Sequence, residues 1–258
     1  MSHSEDPVRH SVGFFAGFLA AVAFFTRLPV DPHPAGACRL ADSSWAFPLV
    51  GAGIGGATAF AFLLAQLIGL GNWPAALISV LAGIALTGGL HEDGLADTAD
   101  GFMGGRDSAE KLAILRDSRH GTYGVLALTL SVLLRAAALA AIGDVLHASL
   151  ALIAAHAASR AALPAAMRGL TPARSDGLGA TAGTPRMSGA MTAAAIGAAL
   201  GLAALGPGRG AVALCLAALV VFATAWLARR QIGGYTGDVL GALQQAAEIV
   251  ILLAASAR

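Results

Sequence analysis

Asp93, Asp97 and Asp100 stand at i, i+4 and i+7 inside the segment 87–124, TGGLHEDGLADTADGFMGGRDSAEKLAILRDSRHGTYG. On a helix these positions share one face, about a turn apart. Three carboxylates on one stripe repel each other unless a cation sits among them. Hard oxygen ligands of this kind suit Mg²⁺ or Mn²⁺, which bind through a few carboxylates together with substrate phosphates and water. His91, just before the stripe, has the chemistry of a ligand, a general base or a partner that orients a carboxylate; a purely structural role is equally open. Gly94 and Gly101 leave space beside two of the acids for a large substrate to approach the backbone. Downstream, Arg116 leads into Asp117-Ser118-Arg119-His120-Gly121-Thr122-Tyr123-Gly124. Its glycines, hydroxyls and Arg119 make a phosphate cradle where a helix begins, and Asp117 offers a further metal ligand. Two other chemistries are excluded by spacing: the segment lacks the Asp-x-Asp-x-Asp-Gly calcium loop and the GxxxxGK phosphate loop.

The rest of the chain has to hold this segment in place. Of its 15 acidic residues, Glu92, Asp93, Asp97, Asp100, Asp107, Glu110 and Asp117 fall here, so charge is concentrated in one place. Elsewhere the 258 residues are mostly Ala, Leu, Val, Ile, Phe and Gly; only 12% are charged, where a soluble domain carries about a quarter. With a mean hydropathy of +0.73, this composition predicts an integral membrane protein. The fold class expected is all-α: a polytopic transmembrane helix bundle of about 7–8 segments, forming one membrane domain over residues 1–258. Apolar segments lie at 12–28, 46–70, 74–90, 122–142, 146–166, 189–206, 210–228 and 237–255; the first is a retained membrane helix or a re-entrant one. The acidic helix would continue from the third. Asn72-Trp73-Pro74 and Pro207-Gly208 mark turns between segments, and Ser108 is a plausible cap for a short helix over 107–115.

If the eight segments alternate, the connections 27–45, 91–121, 160–188 and 229–236 share one side. They hold every basic residue of the 16 except Arg9, Arg135, Arg209 and Arg258. The positive-inside rule puts those connections, and the acidic segment, in the cytoplasm. A net charge of +1 argues against a nucleic-acid footprint, and Cys38 and Cys215 suggest neither a disulfide framework nor a zinc site. Ionisable groups inside membrane segments usually face the bundle interior. They include Arg135, expected to be paired there, His156 and Arg160 one turn apart, and Glu248. Asp238 stands at the start of the last segment as a helix charge or a functional group. The stretch RSDGLGATAGTPR at 174–186 is flexible in composition and suited to closing over a substrate. Gly51/Gly55 and Gly197/Gly201 have the spacing of close helix approach, read as ordinary packing. A transporter whose acids line an ion path is disfavoured, because no repeat is evident and the acids lie in a connection.

Five motifs, in order, resemble the cobalamin synthase family of adenosylcobinamide-GDP ribazoletransferases: FFTRLPV, WAFPLVGAGIG, GGLHEDGLADTADGFMGG, LRDSRHGTYGVLAL and GGYTGDVLGA. The resemblance runs from about Phe24 to the last helix. It implies a multi-pass enzyme of the bacterial inner membrane that uses Mg²⁺. Its substrates would be adenosylcobinamide-GDP and α-ribazole or its 5′-phosphate, giving GMP and adenosylcobalamin or its 5′-phosphate. On that resemblance His91, Asp93, Asp97 and Asp100 are catalytic, with Asp93, Asp97, Asp100 and Asp117 on the metal. Arg116, Asp117, Ser118, Arg119, Gly121, Gly124 and Asp238 bind substrate or phosphate. Glu92 is left out of the metal set. Partners beyond the substrates and the bilayer would be a second copy of the chain or other cobalamin-assembly enzymes. A lipid-head-group phosphotransferase is the alternative enzyme; the acidic spacing is similar in chemistry to the CDP-alcohol phosphotransferases, but their longer pattern is not present.

Overall fold

The computed structural model describes residues 13–30, 39–117 and 119–257. Arg9, Pro32, Pro34, Cys38 and Ser118 lie outside the described residues. All named elements are helical: α1 (Phe14–Phe25), a 3₁₀ segment (Leu40–Ala46), α2 (Phe47–Leu67), α3 (Asn72–Thr87), α4 (Leu90–Gly104), α5 (Ser108–Ile114) and α6 (Thr122–Ile142) come first. Then follow α7 (Val145–Ala161), α8 (Leu163–Gly169), α9 (Leu178–Thr181), α10 (Met187–Leu205), α11 (Pro207–Ile232) and α12 (Gly237–Ser256).

Six stretches are long and apolar enough to cross a membrane: Leu40–Leu67, Thr122–Ile142, Val145–Gly169, Met187–Leu205, Pro207–Ile232 and Gly237–Ser256. A seventh forms if α3 and α4, bent by 92° at their junction, are one broken span. The polytopic all-α bundle is therefore as expected; of the two readings of the first segment the spanning one is too short, and the third segment needs a correction. The 12 residues of α1 extend only about 18 Å at 1.5 Å per residue, too short for a hydrocarbon core of roughly 30 Å. The acidic helix does not continue straight from α3. Gly88 and Gly89 both take positive φ, +67° and +69°, a left-handed pair that only glycine adopts cheaply, and the chain turns there. The FFTRLPV stretch fastens this corner: the Arg27 N–H donates to the Leu86 carbonyl at 2.8 Å, and the Arg27 side chain lies over Gly88.

The bundle centre is built from small residues. On α7, Ala148, Ala151, Ala154, Ala155 and Ala157 are fully buried, so neighbouring backbones approach closely. The Gly51/Gly55 spacing belongs to such a crossing. A Cβ at Gly55 would stand 2.7 Å from the Ile153 Cα, and one at Gly51 would run into the His156 carbonyl. Large apolar side chains such as Phe60, Leu81, Leu130, Leu219 and Phe222 point outward and stay exposed, as lipid-facing residues do. Helix starts follow local chemistry. Pro48 and Pro207 sit in first turns, while Asp107, Asp144 and Thr236 cap with their side chains. Asp107, rather than Ser108, caps α5, its Oδ1 accepting from the Glu110 N–H at 2.9 Å.

Candidate active site

The corner at Gly88–Gly89 sends α4 across the starts of α12 and α6, and two glycines set how closely. A Cβ at Gly94 would stand 2.7 Å from the Asp238 carbonyl oxygen, and one at Gly241 would stand 3.1 Å from the His91 carbonyl. At Gly101 a Cβ would meet Leu115 at 2.9 Å. The space beside these glycines is filled by α12 and α5, so they serve packing and not substrate approach. The GGYTGD stretch before α12 is likewise an anchor. The Tyr235 N–H donates to the Thr171 carbonyl at 2.9 Å, the Ala173 N–H to the Tyr235 carbonyl at 2.8 Å, and the buried Tyr235 hydroxyl to the Gly179 carbonyl at 3.1 Å. The loop 170–186 is thereby tied down next to Asp238.

The acidic stripe of α4 faces the segment that leads into α6, and its three aspartates meet different partners. Asp93 and Asp97 face His120: the ring sits with Nε2 4.0 Å from Asp93 Oδ1 and Nδ1 3.7 Å from Asp97 Oδ1. One ligand atom from each of the three residues lies within 4.8 Å of the other two. Asp93 is the most open of them, with 66% of its side chain exposed, against 15% for Asp97. Asp100 is buried and turned to the α6 N-terminus, accepting from the Gly121 N–H at 2.6 Å and the Gly124 N–H at 2.9 Å. A Cβ at Gly121 would stand 2.6 Å from Asp100 Oδ1. The helix N-terminus that the glycines offered as a phosphate cradle thus already holds an anion, a carboxylate of the same chain.

The other residues expected at the site are more dispersed. Asp117 and Arg119 are exposed and pair with each other at 2.6 Å. The hydrogen bond from Arg119 holds the Asp117 carboxyl down at about 2. The structure does not bring Asp117 into the cluster of Asp93, Asp97 and His120. Arg116 pairs with Asp176 of the 170–186 loop at 2.8 Å. Asp238 accepts from Thr236 Oγ1 at 3.0 Å and lies 3.4 Å from Arg174 Nη2. His91 is buried and stacked on Phe25, ring centroids 5.6 Å apart.

Beside the cluster a cavity of about 220 Å³ opens. Phe24, Phe25, Phe47, Leu163 and Met167 form its apolar wall, and His91, Asp93, Arg174 and Asp238 its polar part. Asp93 therefore belongs both to the cavity and to the carboxylate–imidazole cluster.

Behind α4 a second set of charges is sealed inside the bundle. Arg135 Nη1 donates to Glu92 at 2.9 Å and to Glu248 at 3.1 Å. Glu248 also meets His156 Nδ1 at 3.0 Å, Gln244 Nε2 at 2.6 Å and Arg160 Nη1 at 3.8 Å. Gln244 Nε2 bonds in turn to Ser159 Oγ at 2.9 Å. Glu92 is a structural partner of Arg135. Pairing of this kind is what permits charge in a bundle interior.

Two residues of the site were not singled out from sequence. His120 sits in the quoted octapeptide, and its imidazole, a common metal ligand, was the signal. Arg174 opens the stretch marked as suited to closing over a substrate, but only the folded 170–186 loop brings it to Asp238.

Two carboxylates and an imidazole within one ion's reach are a donor set that divalent cations use. The two aspartates fit Mg²⁺ or Mn²⁺, and the imidazole adds affinity for the later transition metals. Membrane-crossing helices that present such a cluster at the mouth of an apolar cavity define a polytopic membrane enzyme. The chain belongs to the cobalamin-5-phosphate synthase family, whose model matches residues 17–256, and is a transferase of cobalamin synthesis. It is 50% identical over 238 residues to an adenosylcobinamide-GDP ribazoletransferase of Bradyrhizobium diazoefficiens, covering 92% of each chain. It is 47% identical over 235 residues to the protein of that name from Mesorhizobium japonicum, covering 91% of this chain and 90% of the other. For Azorhizobium caulinodans the identity is 45% over 259 residues, covering 95% and 97%. No solved structure matches the chain.

Proposed function

We propose that the chain transfers the cobinamide-phosphate group of adenosylcobinamide-GDP onto a hydroxyl of α-ribazole or its 5′-phosphate. GMP is released, and adenosylcobalamin or its 5′-phosphate is formed. The names of the relatives support the substrates. The observation that carries the site is Asp93, shared between the cavity and the Asp93–Asp97–His120 cluster. A new bond forms between the acceptor oxygen and the phosphorus on the corrinoid side, and the P–O bond to GMP breaks, its electron pair leaving with the GMP phosphate. Asp93 takes the hydroxyl proton. Arg119 supplies positive charge for the phosphates. Asp93, Asp97 and His120 would hold Mg²⁺, which when bound offsets charge on the pyrophosphate. Asp100 anchors α6 and keeps His120 facing α4. The excess of Lys and Arg in the connections supports a cytoplasmic position for this face in a bacterial cell.

The test uses full-length protein in detergent with adenosylcobinamide-GDP, α-ribazole and Mg²⁺, following GMP and the corrinoid product. GMP release should require both α-ribazole and metal, and should fall by more than ~100-fold in Asp93→Asn and Asp97→Asn, beyond the 10–100-fold typical of residues that only support a ligand. No turnover by well-folded parent protein would discard these substrates. Undiminished turnover after chelation would discard the metal.

A further inference from the structure

The cavity beside the cluster differs in character from end to end, and that difference selects a ligand. Its depth is closed by Phe25, Phe47, Leu163 and Met167, each at most 4% exposed. Phe25 meets Phe24 and Phe47 edge to face, at centroid distances of 4.9 and 4.8 Å. Its other end holds Asp93, Asp238 and Arg174. The Arg174 Nη1 is buried with no hydrogen-bond partner among the described residues, a donor left for something that enters.

We infer that this cavity binds the flat bicyclic base of the acceptor nucleoside, with the ribose at Arg174 and Asp93. The inference rests on the reaction proposed above. A ribazole is a glycoside of a benzimidazole, an apolar fused ring that suits an aromatic-walled slot. At about 220 Å³ the slot falls below the roughly 300–1,000 Å³ of sites that enclose drug-sized ligands. It takes one fused ring, and a corrin macrocycle must stay outside. Guanine is of similar size, but its ring N–H, amino and carbonyl groups need several partners, and His91 is the one polar side chain among the buried walls; burying the rest unpaired is unfavourable. The base of the acceptor therefore sits inside, and both halves of the donor lie on the open side of Asp93. Apart from His91, the polar side chains gather at the Asp93 end of the cavity, so the acceptor hydroxyl is delivered next to the cluster.

The test measures equilibrium binding to the full-length chain in detergent, without metal or corrinoid. The probes are α-ribazole, free benzimidazole and GMP. Met167→Trp and Leu40→Trp put an indole into the slot, one from its depth and one from the partly exposed 3₁₀ segment. Each should raise the Kd for α-ribazole at least tenfold and leave GMP binding unchanged, while the volume-conserving Met167→Leu stays within threefold of the parent. Benzimidazole should compete with α-ribazole and not with GMP. Should Met167→Trp lose the parental melting transition, Leu40→Trp decides. Parental affinity for α-ribazole in a well-folded Trp variant would overturn the inference, as would weakened GMP binding in place of α-ribazole. Trp-sensitive α-ribazole binding in a parent that releases no GMP would leave the cavity assignment standing and discard the reaction.

Discussion

Arg135→Ala should be among the most damaging single substitutions in the chain, although Arg135 lies outside the cavity and the cluster. The residue is 3% exposed and bridges Glu92 at 2.9 Å and Glu248 at 3.1 Å. Removing one partner of a buried ion pair costs about 3–5 kcal/mol, because the remaining charge stays desolvated. The two carboxylates do not suffer equally. Glu248 keeps His156, Gln244 and Arg160 around it, whereas Glu92 loses the guanidinium that holds it. Most of the cost therefore falls on the first turn of α4, one residue from Asp93. For a chain of this size roughly 2–4 °C of melting temperature accompanies each kcal/mol, so the transition in detergent should drop by on the order of 10 °C. Metal affinity should fall with it, because Asp93 moves when Glu92 is released. The double variant Arg135→Met with Glu92→Leu should recover most of the melting temperature, since a packed apolar pair commonly replaces a buried ion pair without loss. Recovery of stability together with GMP release would show that the ion pair acts by holding α4. An Arg135→Ala protein that melts with the parent would refute the reasoning, as would a double variant less stable than the single one.

Other substitutions separate packing from chemistry at the site. Gly94→Ala drives a methyl toward the Asp238 backbone and should destabilise by at least the ~1–3 kcal/mol of overpacking, read as a lower melting temperature. Asp100→Ala strips the carboxylate from two backbone N–H groups and should cost about 1–3 kcal/mol, chiefly at Gly124, whose donor is left buried and unpaired. Manganese titrated into Asp100→Asn, followed by electron paramagnetic resonance, should bind with near-parental affinity, whereas Asp97→Asn should abolish binding. Equal loss in both would place Asp100 on the metal. Arg116→Ala breaks an exposed pair with Asp176 and should move stability by no more than about 1 kcal/mol, while raising KM for the substrate that the 170–186 loop covers.

Much of the architecture was open to inspection before folding. Long apolar runs mark the crossing helices, because a bilayer demands about 20 apolar residues per span, and the helical spacing of Asp93, Asp97 and Asp100 marks the face that meets α6. Other features were hidden because they depend on contacts distant in sequence. Asp100 looked equivalent to its two neighbours on the stripe until the α6 N-terminus arrived to engage it. Gly94 looked like open space until α12 filled it, since a missing side chain reads the same whether a substrate or a helix takes the room. Arg174 and Asp238 are 64 positions apart, a pairing no local pattern encodes.

What the sequence by itself determined is the solvent, the secondary structure and the class of chemistry, because hydropathy, helical period and ligand type are properties of short stretches. Tertiary structure alone decided which acids face one another, that His120 joins them and Asp100 turns away, and that an aromatic cavity opens at Asp93. Those outcomes depend on the turn at Gly88–Gly89 and on how closely α4 lies against α12, and distances between helices are set by packing, which no single segment contains.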